Sequence, residues 1–304
     1  MSKYQNKLSV IIVSYNTRDL LKDCIESLQK ADHPEGGLEI IVVDNNSPDD
    51  SVAMVEESFP QVRMIANKDN TGFATANNQG VEISTGEYVL FLNSDTVVNK
   101  DSLTKPVKYM EENPQVGALT VKLKLASGDL DPDNHRGFPT PWTSITHFTY
   151  LDRLFPQSKF FNQYYQSYKN FDETHSIEVA AGSYLLMPKE LFLQVGGWGE
   201  EYFFYGEDID LCYQVHQAGK DIVYYPHTIV MHYKGASSGL RKESKEIARP
   251  PKATRVKVAK SSVKAMKIFY RKFYKDKYPK IVTNFVLGGI SLLGFFRVLK
   301  HKLT

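Results

Sequence analysis

The first hundred residues alternate short apolar runs with amphipathic helical patterns. Residues 8–13 and 40–43 are apolar runs typical of strands that are buried on both faces. Residues 20–28 place their apolar side chains at helical spacing, and further runs follow at 62–65 and 88–92. The resulting β-α-β-α-β-α-β order predicts an α/β fold with a mostly parallel, doubly wound sheet and helices on both faces.

The next part of the chain has a different pattern. Residues 126–175 are rich in proline, glycine and aromatic side chains and show little periodicity, which predicts a long excursion with one or two short helices. Ser47, followed by Pro48, is typical of a helix N-cap and predicts a helix there. Regular elements return as a strand over 178–187, helices over 189–195 and 207–218, and strands over 222–225 and 228–233.

Charge divides the chain in two. Residues 241–304 contain 18 Lys and Arg but 3 Asp and Glu, a net charge of +15. Residues 1–240 therefore hold 19 basic and 32 acidic residues, a net charge of −13. The basic tail is expected to meet an anionic partner, either nucleic acid or a membrane surface. Its uncharged run, 281–296, is shorter than the roughly 20 residues that span a bilayer as a helix.

Composition narrows the class of protein further. The 304 residues are 42% hydrophobic, which is ordinary for a folded protein and excludes collagenous and disordered chains. Two distant cysteines, Cys24 and Cys212, predict no disulfide framework and favour a reducing cytosol. The first residues lead directly into a strand-like run, and we expect no signal peptide.

Polar clusters follow three of the predicted parallel strands. They are Ser14-Tyr15-Asn16, the run from Asp44 to Ser47, and Asn93-Ser94-Asp95. The carboxyl ends of parallel strands form the ligand crevice of an open sheet, although each cluster alone is also typical of caps and turns. The first turn lacks a dinucleotide-binding glycine motif, and the chain has no P-loop. If a nucleotide binds here, the obvious candidate for neutralising its phosphates is a divalent metal held by Asp95.

A second constellation opens the helix at 207–218. Glu207, Asp208 and Asp210 lie at its start, where acidic residues also simply complement the helix dipole. The preceding glycine-rich, aromatic loop, residues 196–205, is suited to the wall of a sugar site, and a carboxylate beside it is suited to act as a general base. His232 on the last strand is either a core residue or a ligand.

Together these residues resemble family-2 glycosyltransferases of the GT-A fold, within the rhamnosyltransferase-like bacterial branch. The resemblance covers residues 8 to about 240 and depends on four blocks in family order. The blocks are residues 9–16, 42–47, 70–95 and 182–232. The resemblance implies a glycosyltransferase domain over 1–240, with a nucleotide-binding half at 1–100 and an acceptor half at 101–240. Residues 241–304 form a basic and hydrophobic helical tail.

The resemblance also implies a role for each matched position. Asp208 is the catalytic base, and Asp95 and His232 bind Mg²⁺ or Mn²⁺. The residues expected to bind the nucleotide sugar are Ser14, Tyr15, Asn16, Asp44, Asn70, Gly72, Phe73, Asn78, Asn93 and Ser94, with Asp44 accepting from the pyrimidine N–H. The residues expected at the acceptor are Gly182, Trp198, Tyr205 and Glu207.

One position departs from the family pattern. Asn93 stands where many relatives carry the first Asp of an Asp-x-Asp metal motif, so metal binding would depend on Asp95, His232 and the donor's diphosphate. The implied reaction is inverting transfer from a nucleoside-diphosphate sugar, dTDP-rhamnose or a UDP-sugar, to a glycan or polyprenyl-diphosphate-linked acceptor in cell-surface polysaccharide synthesis.

The tail then has a function consistent with that reaction. A basic, partly apolar segment is attracted to anionic lipid, which predicts an enzyme peripheral at the cytoplasmic face of the inner membrane. A helical hairpin packed on the catalytic domain is the alternative, and nucleic acid is not expected because no recognised module accompanies the charge. Two other functions stay open: a sugar-1-phosphate nucleotidyltransferase, and a non-catalytic module that binds glycan or lipid.

Overall fold

The apolar runs of the sequence become strands of one nine-stranded sheet. A computed structural model describes residues 4–233 and 252–303. Within these residues the elements are, in order, β1 (Asn6–Ser14), α1 (Arg18–Lys30), β2 (Leu38–Asp44), α2 (Ser51–Ser58), β3 (Arg63–Ala66), α3 (Phe73–Ile83), β4 (Gly86–Asn93), β5 (Thr96–Val98), α4 (Thr104–Glu112), β6 (Val116–Leu125), α5 (Pro141–Phe148), α6 (Leu151–Leu154), β7 (His175–Ile177), β8 (Tyr184–Pro188), α7 (Lys189–Gln194), α8 (Glu207–Gln217), β9 (Asp221–His232), α9 (Lys252–Phe273) and α10 (Lys280–Leu303). The predicted boundary at 240 and 241 lies outside the described residues.

The first four strands are parallel, as predicted. They lie in the order β3-β2-β1-β4, and β1 is buried between its neighbours because its central side chains are apolar. The register pairs Ser14 with Asp44 and Val13 with Asn93. This register brings the polar residues at the three strand ends to one edge of the sheet.

The second half of the sheet is mixed. It continues as β4-β8-β6-β9-β5, with β7 also paired to β9, and β8 runs antiparallel to β4 and β6. The predicted strand over 178–187 was too long, since β8 begins at Tyr184. The two predicted strands at 222–225 and 228–233 are one strand, β9, and the interruption is a bulge opposite Val121 and Lys122.

Helices cover both faces of the sheet, which confirms the doubly wound arrangement. The apolar sides of α1, α2 and α4 pack on one face, and those of α3, α7 and α8 pack on the other. Gly80 allows α3 to approach β1 closely, because a Cβ at that position would lie 2.5 Å from a methyl carbon of Ile11.

The excursion and the tail both contain the helices that were predicted. The excursion holds a 3-10 turn at Pro132–Asn134 and the short helices α5 and α6. In the tail, α9 and α10 form a hairpin in which Gly294 packs on Val263 and Arg297 donates to Ser262 at 2.9 Å.

The hairpin packs on the α/β part of the chain through α9. Phe269, Phe273 and Tyr274 surround the ring of Tyr213 on α8, with the ring centroids of Tyr213 and Phe273 4.3 Å apart. The outer face of α10 is largely exposed, and residues 280–302 are long and apolar enough to cross a membrane by length and composition. The uncharged run at 281–296 is therefore only part of a longer apolar helix.

Candidate active site

Asp44 lies at the carboxyl edge of the sheet and shapes the turn after β2. Its buried carboxylate accepts hydrogen bonds from the backbone N–H and the hydroxyl of Ser47, at 2.7 and 2.6 Å. Ser47 therefore closes an Asx-type turn and is not the predicted N-cap, because α2 begins only at Ser51. Ser47 Oγ also accepts from the backbone N–H of Asn16 at 2.9 Å, which ties the first two clusters together.

The ends of β1 and β4 are joined by hydroxyl groups. Thr17 Oγ1 lies 3.3 Å from Ser14 Oγ and 2.9 Å from Ser94 Oγ, and all three residues are buried. Tyr15 and Asn16 are exposed beside them. This edge of the sheet thus presents one aromatic and one amide side chain above the network of hydroxyl groups. An aromatic ring is suited to stack on the face of a nucleotide base, and an amide is suited to hydrogen-bond to the edge of that base.

The loop before α3 is held against the same edge. Asn45 donates to the carbonyl of Gly72 at 3.1 Å, and Asn70 Oδ1 accepts from the Gly72 N–H at 3.0 Å. Gly72 has φ +89°, and a Cβ there would lie 3.0 Å from the carbonyl oxygen of Phe203. Glycine is therefore required both by conformation and by the approach of the aromatic loop.

The structure places Trp198 and Gly182 in the core rather than on the wall of a sugar site. Trp198 is 1% exposed, and its ring packs on Phe73 and Phe91 with centroids 5.4 and 4.9 Å away. Gly182 is buried where a Cβ would meet both Phe73 and Trp198. The aromatic loop turns its tryptophan inward, so both residues support the core, and their predicted contacts with the acceptor stay a prediction.

Asn78 on α3 forms hydrogen bonds to the aromatic loop. It donates to the carbonyl of Trp198 and to Glu200, both at 2.9 Å, and accepts from the Trp198 N–H at 3.1 Å. Its contacts therefore support the aromatic loop, and its predicted role in binding the nucleotide sugar stays a prediction. Tyr205, by contrast, is exposed at the end of the loop, in a left-handed conformation just before α8.

His232 links the end of β9 to the third polar cluster. Its Nε2 lies 3.3 Å from Asp95 Oδ1 and 3.4 Å from Asn93 Nδ2, and its Nδ1 lies 2.8 Å from Asp131 Oδ2. Burial alone would lower the pKa of His232, but the charges of Asp95 and Asp131 outweigh it and raise that pKa to about 9.

These groups fit a divalent cation. A carboxylate and an imidazole nitrogen face one another, and a second carboxylate on the other ring nitrogen is the usual support of a metal-binding histidine. Within residues 4–233 and 252–303, no group of three or more His, Cys, Asp or Glu side chains is arranged to hold a metal ion. A cation bound by Asp95 and His232 would therefore need oxygen ligands from a donor's diphosphate.

Asp208 lies in the first turn of α8 and pairs with a residue of the excursion. Arg136 Nη2 donates to Asp208 Oδ2, and the Ile209 N–H donates to Oδ1 at 2.8 Å. Burial would lower the pKa of Arg136, but the adjacent Asp208 charge raises it well above its ordinary value, so the guanidinium stays charged. The ion pair fixes the orientation of the carboxylate.

Glu207 differs from its neighbour in being buried with no ion pair among the described residues. Its Oε2 has no hydrogen-bond partner among the described residues. Burial, and then the charge of Asp208, raise the pKa of Glu207 to about 8. Adjacent carboxyl groups at the start of one helix thus have very different surroundings.

One short segment, residues 131–136, connects His232 with the ion pair at Asp208. Asp131 binds His232 and Arg136 binds Asp208, and five residues of chain span at most about 18 Å. His232 and Asp208 are therefore held from the two ends of the same segment.

A sequence model of Glycosyl transferase family 2 matches residues 9–195. The chain belongs to this family. This family-2 glycosyltransferase is 27% identical over 263 residues to N-acetylglucosaminyl-diphospho-decaprenol L-rhamnosyltransferase of Mycobacterium tuberculosis, which covers 83% of this chain and 84% of that protein. It is also 27% identical over 235 residues to rhamnosyltransferase WbbL of Escherichia coli K12, covering 74% and 82%.

The family-2 glycosyltransferase is similar to solved structures over nearly its full length. One is the mannosyltransferase PcManGT from Pyrobaculum calidifontis, in complex with GDP-Man and Mn²⁺, with a TM-score of 0.58, 18% identity, and coverage of 99% of this chain and 74% of that one. This similarity shows the GT-A-like fold, as the resemblance implied. Family membership favours a transferase over the nucleotidyltransferase alternative.

Sequence reasoning missed two residues of this glycosyltransferase's site. Arg136 and Asp131 lie in the excursion, where no periodic pattern indicated which side chains turn inward. The available signal was a cluster of charge at the start of that stretch: Asp129, Asp131, Asp133 and Arg136 fall within eight residues, and each is a candidate partner for a buried group of opposite sign.

Proposed function

We propose that this family-2 glycosyltransferase transfers a sugar from a nucleoside-diphosphate donor to a hydroxyl of a glycan or polyprenyl-diphosphate-linked acceptor. We assign rhamnose, carried by dTDP, as the donor sugar, because the chain aligns with two rhamnosyltransferases over most of their lengths. A UDP-sugar is the alternative donor. The M. tuberculosis relative's name, which specifies a diphospho-decaprenol acceptor, supports a lipid-linked acceptor.

The proposed reaction is a single displacement with inversion. The acceptor oxygen forms a bond to the anomeric carbon while the bond from that carbon to the donor's diphosphate breaks, and the electron pair leaves with the nucleoside diphosphate. Asp208 takes the acceptor's hydroxyl proton as general base. Arg136 orients the carboxylate so that its free lone pairs meet the hydroxyl.

The donor's phosphates would be neutralised beside the end of β4. Mg²⁺ or Mn²⁺ held by Asp95 and His232 would supply positive charge against the departing diphosphate. Asp131 fixes the imidazole so that Nε2 faces Asp95. Tyr15, Asn16 and Asp44 would hold the base and ribose at the neighbouring strand ends.

One observation carries the proposal. The segment from Asp131 to Arg136 holds the histidine of the metal side and the carboxylate of the acceptor side at its two ends. An in-line displacement needs a leaving-group site and a base within reach of one sugar ring, and this short segment limits how far apart the two can lie.

The Asp208→Asn variant tests the proposal. Transfer from dTDP-rhamnose or a UDP-sugar to a polyprenyl-diphosphate-linked acceptor should fall by about 10²–10⁴-fold, because a positioned base is lost, while donor binding is retained. Radiolabelled transfer gives the rate, and calorimetry gives the donor affinity. Addition of EDTA should also abolish transfer.

A matched control is the Asp172→Asn variant, which removes an exposed carboxylate of the same domain and should transfer at the normal rate. Near-normal transfer by Asp208→Asn would refute the assignment of the base. Full activity under chelation would remove the metal from the mechanism.

The tail supports a location at the membrane. In α10, apolar side chains are exposed along the outer face, and α9, which packs beside it, contains eight Lys and Arg and no acidic residue. Because the antiparallel, basic α9 cannot enter hydrocarbon with it, α10 would lie in the plane of the bilayer interface. We therefore place the enzyme at the cytoplasmic face of the membrane, where lipid-linked acceptors are available.

A further inference from the structure

Exposed large apolar side chains concentrate in two places. The described residues contain seventeen of them, and seven belong to α10. Six more lie in the excursion, and we call them the α5–α6 surface: Ile145, Phe148, Tyr150, Leu154, Phe155 and Phe160. Single exposed apolar residues need no explanation, but a group of this size marks an interaction site.

The α5–α6 surface has its polar side chains buried and its apolar side chains exposed. The side chains that α5 and α6 bury are Thr143, Thr146 and Asp152, while their apolar neighbours point outward. Asp152 is held inside by His147, with 2.8 Å between Oδ2 and Nδ1. An amphipathic helix on the surface of a water-soluble protein has the opposite arrangement, with its apolar side chains towards the core and its polar side chains towards solvent. The outward face is therefore suited to an apolar environment.

The charge of this stretch differs from that of its domain. Between residues 138 and 171 the acidic residue Asp152 is buried, and the other formal charges are the cations Arg153, Lys159 and Lys169. Residues 1–240 as a whole carry a net charge of −13. An apolar surface with cations and no exposed carboxylate is complementary to anionic lipid headgroups, whereas a second copy of this acidic domain would not supply matching charge.

The α5–α6 surface and the tail hairpin attach to the domain at the same residue. Phe138, three residues before α5, packs on Tyr213 with ring centroids 5.0 Å apart, and α9 covers another side of Tyr213. The surface also lies close in sequence to the chemistry, because Arg136, the partner of Asp208, comes five residues before α5.

We propose that the α5–α6 surface inserts into the interface of an anionic bilayer, as a second membrane contact beside α10. This inference rests on the membrane location given under the proposed function, and it adds the excursion to the tail as a lipid-binding element. The two contacts together hold the Asp208 end of the site towards the lipid that carries the acceptor.

The two tryptophans of the chain provide a direct test. Trp142 lies in α5 with its ring 4.7 Å from that of Phe160, whereas Trp198 is buried in the core. Vesicles of brominated phosphatidylglycerol and phosphatidylcholine should quench the emission of the full chain. The quenching should be lost in Trp142→Phe. Unquenched Trp142 emission from vesicle-bound protein would overturn the proposal.

Substitutions in the full chain test the energetics. Ile145→Glu combined with Leu154→Glu should weaken co-sedimentation with these vesicles at least about tenfold, because two apolar side chains leave the interface. Leu193→Glu is the matched control, since Leu193 on α7 is 60% exposed but lies outside both surfaces, and it should bind as the unaltered chain does. Equal binding by the double variant would overturn the proposal.

The remaining outcomes are distinguishable. If the double variant changes only the sedimentation of the free protein from dimer to monomer, the surface joins copies of this chain and the proposal fails. If Trp142 is quenched but no nucleotide sugar supports transfer, the inference stands and the proposed function fails. If the unaltered chain transfers sugar normally but the double variant binds vesicles as well as the unaltered chain does, the proposed function stands and the inference about the α5–α6 surface fails.

Discussion

Two adjacent carboxyl groups at the start of α8 show how surroundings assign chemistry at the scale of a residue. Asp208 pairs with Arg136, whereas Glu207 is buried beside it with an unpartnered oxygen. The charge of Asp208 and the burial both favour the neutral form of Glu207. Neighbouring carboxyls with such different environments are a common source of separate acid and base roles.

Glu207 should make the stability of the protein depend on pH. Burial and Asp208 raise its pKa from the ordinary 4.5 to about 8, so the folded state binds a proton that the unfolded state has released. The free energy of unfolding should therefore fall as the pH rises from 4.5 to 8. Glu207→Gln should flatten that fall, as measured by urea unfolding at several pH values.

The control for this experiment is Glu57→Gln, which alters an exposed carboxyl on α2 and should keep the original pH dependence. Identical slopes for Glu207→Gln and the unaltered chain would contradict the pKa assignment.

At the scale of elements, α9 supports the loop that leads to the candidate base. Lys272 donates to Asp210 and Glu201 at 2.8–3.0 Å, and Lys257 lies 4.3 Å from the ring centroid of Phe203. Asp210 is fully buried and also accepts from Tyr202 at 2.8 Å. The tail is therefore joined to the helix that presents Asp208.

Removal of the Lys272 charge should destabilise the protein. Lys272→Met leaves the Asp210 carboxylate without its cation, and we expect a loss of about 1–3 kcal/mol in the free energy of unfolding, because a buried charged acceptor loses a partner. Lys264→Met, on the same helix but exposed, should change stability by less than about 0.5 kcal/mol. Equal urea midpoints for the two variants would show that the contact contributes nothing.

Local patterns predicted elements better than they predicted contacts between distant parts. Strands β1–β4 and the helices between them follow from apolar periodicity, because each is stabilised by its own buried face. The three-residue strand β5 was not predicted, since its pairing with β9 defines it. The inward turn of Trp198 depends likewise on Phe73 and Phe91, which are far away in sequence.

At the scale of the whole molecule, opposite charges are separated between the two parts of the chain. The tail carries +15 and the rest −13, and at the proposed membrane location this separation would turn the basic tail towards anionic lipid. The α9 face of the hairpin carries much of the tail charge within the described residues. The affinity of the protein for anionic lipid vesicles should therefore depend on ionic strength.

Vesicle binding should weaken with salt and with loss of α9 charge. Raising the salt from 0.1 to 1 M shortens the Debye length from about 10 to about 3 Å, so affinity for anionic vesicles should fall steeply. Lys260→Ala with Lys264→Ala should lower affinity by about 30-fold at low salt, at about 1 kcal/mol per lysine. Lys22→Ala on α1 is the control, and equal affinities would exclude an electrostatic contribution from α9.

The segment from Asp131 to Arg136 has a mechanical consequence. It ends five residues before α5, and Asp131 and Arg136 at its two ends contact His232 and Asp208. Insertion of the α5–α6 surface into lipid, as proposed above, would therefore act next to one stretch of chain that contacts both side chains, so the metal side and the base side of the site share one connection to the membrane.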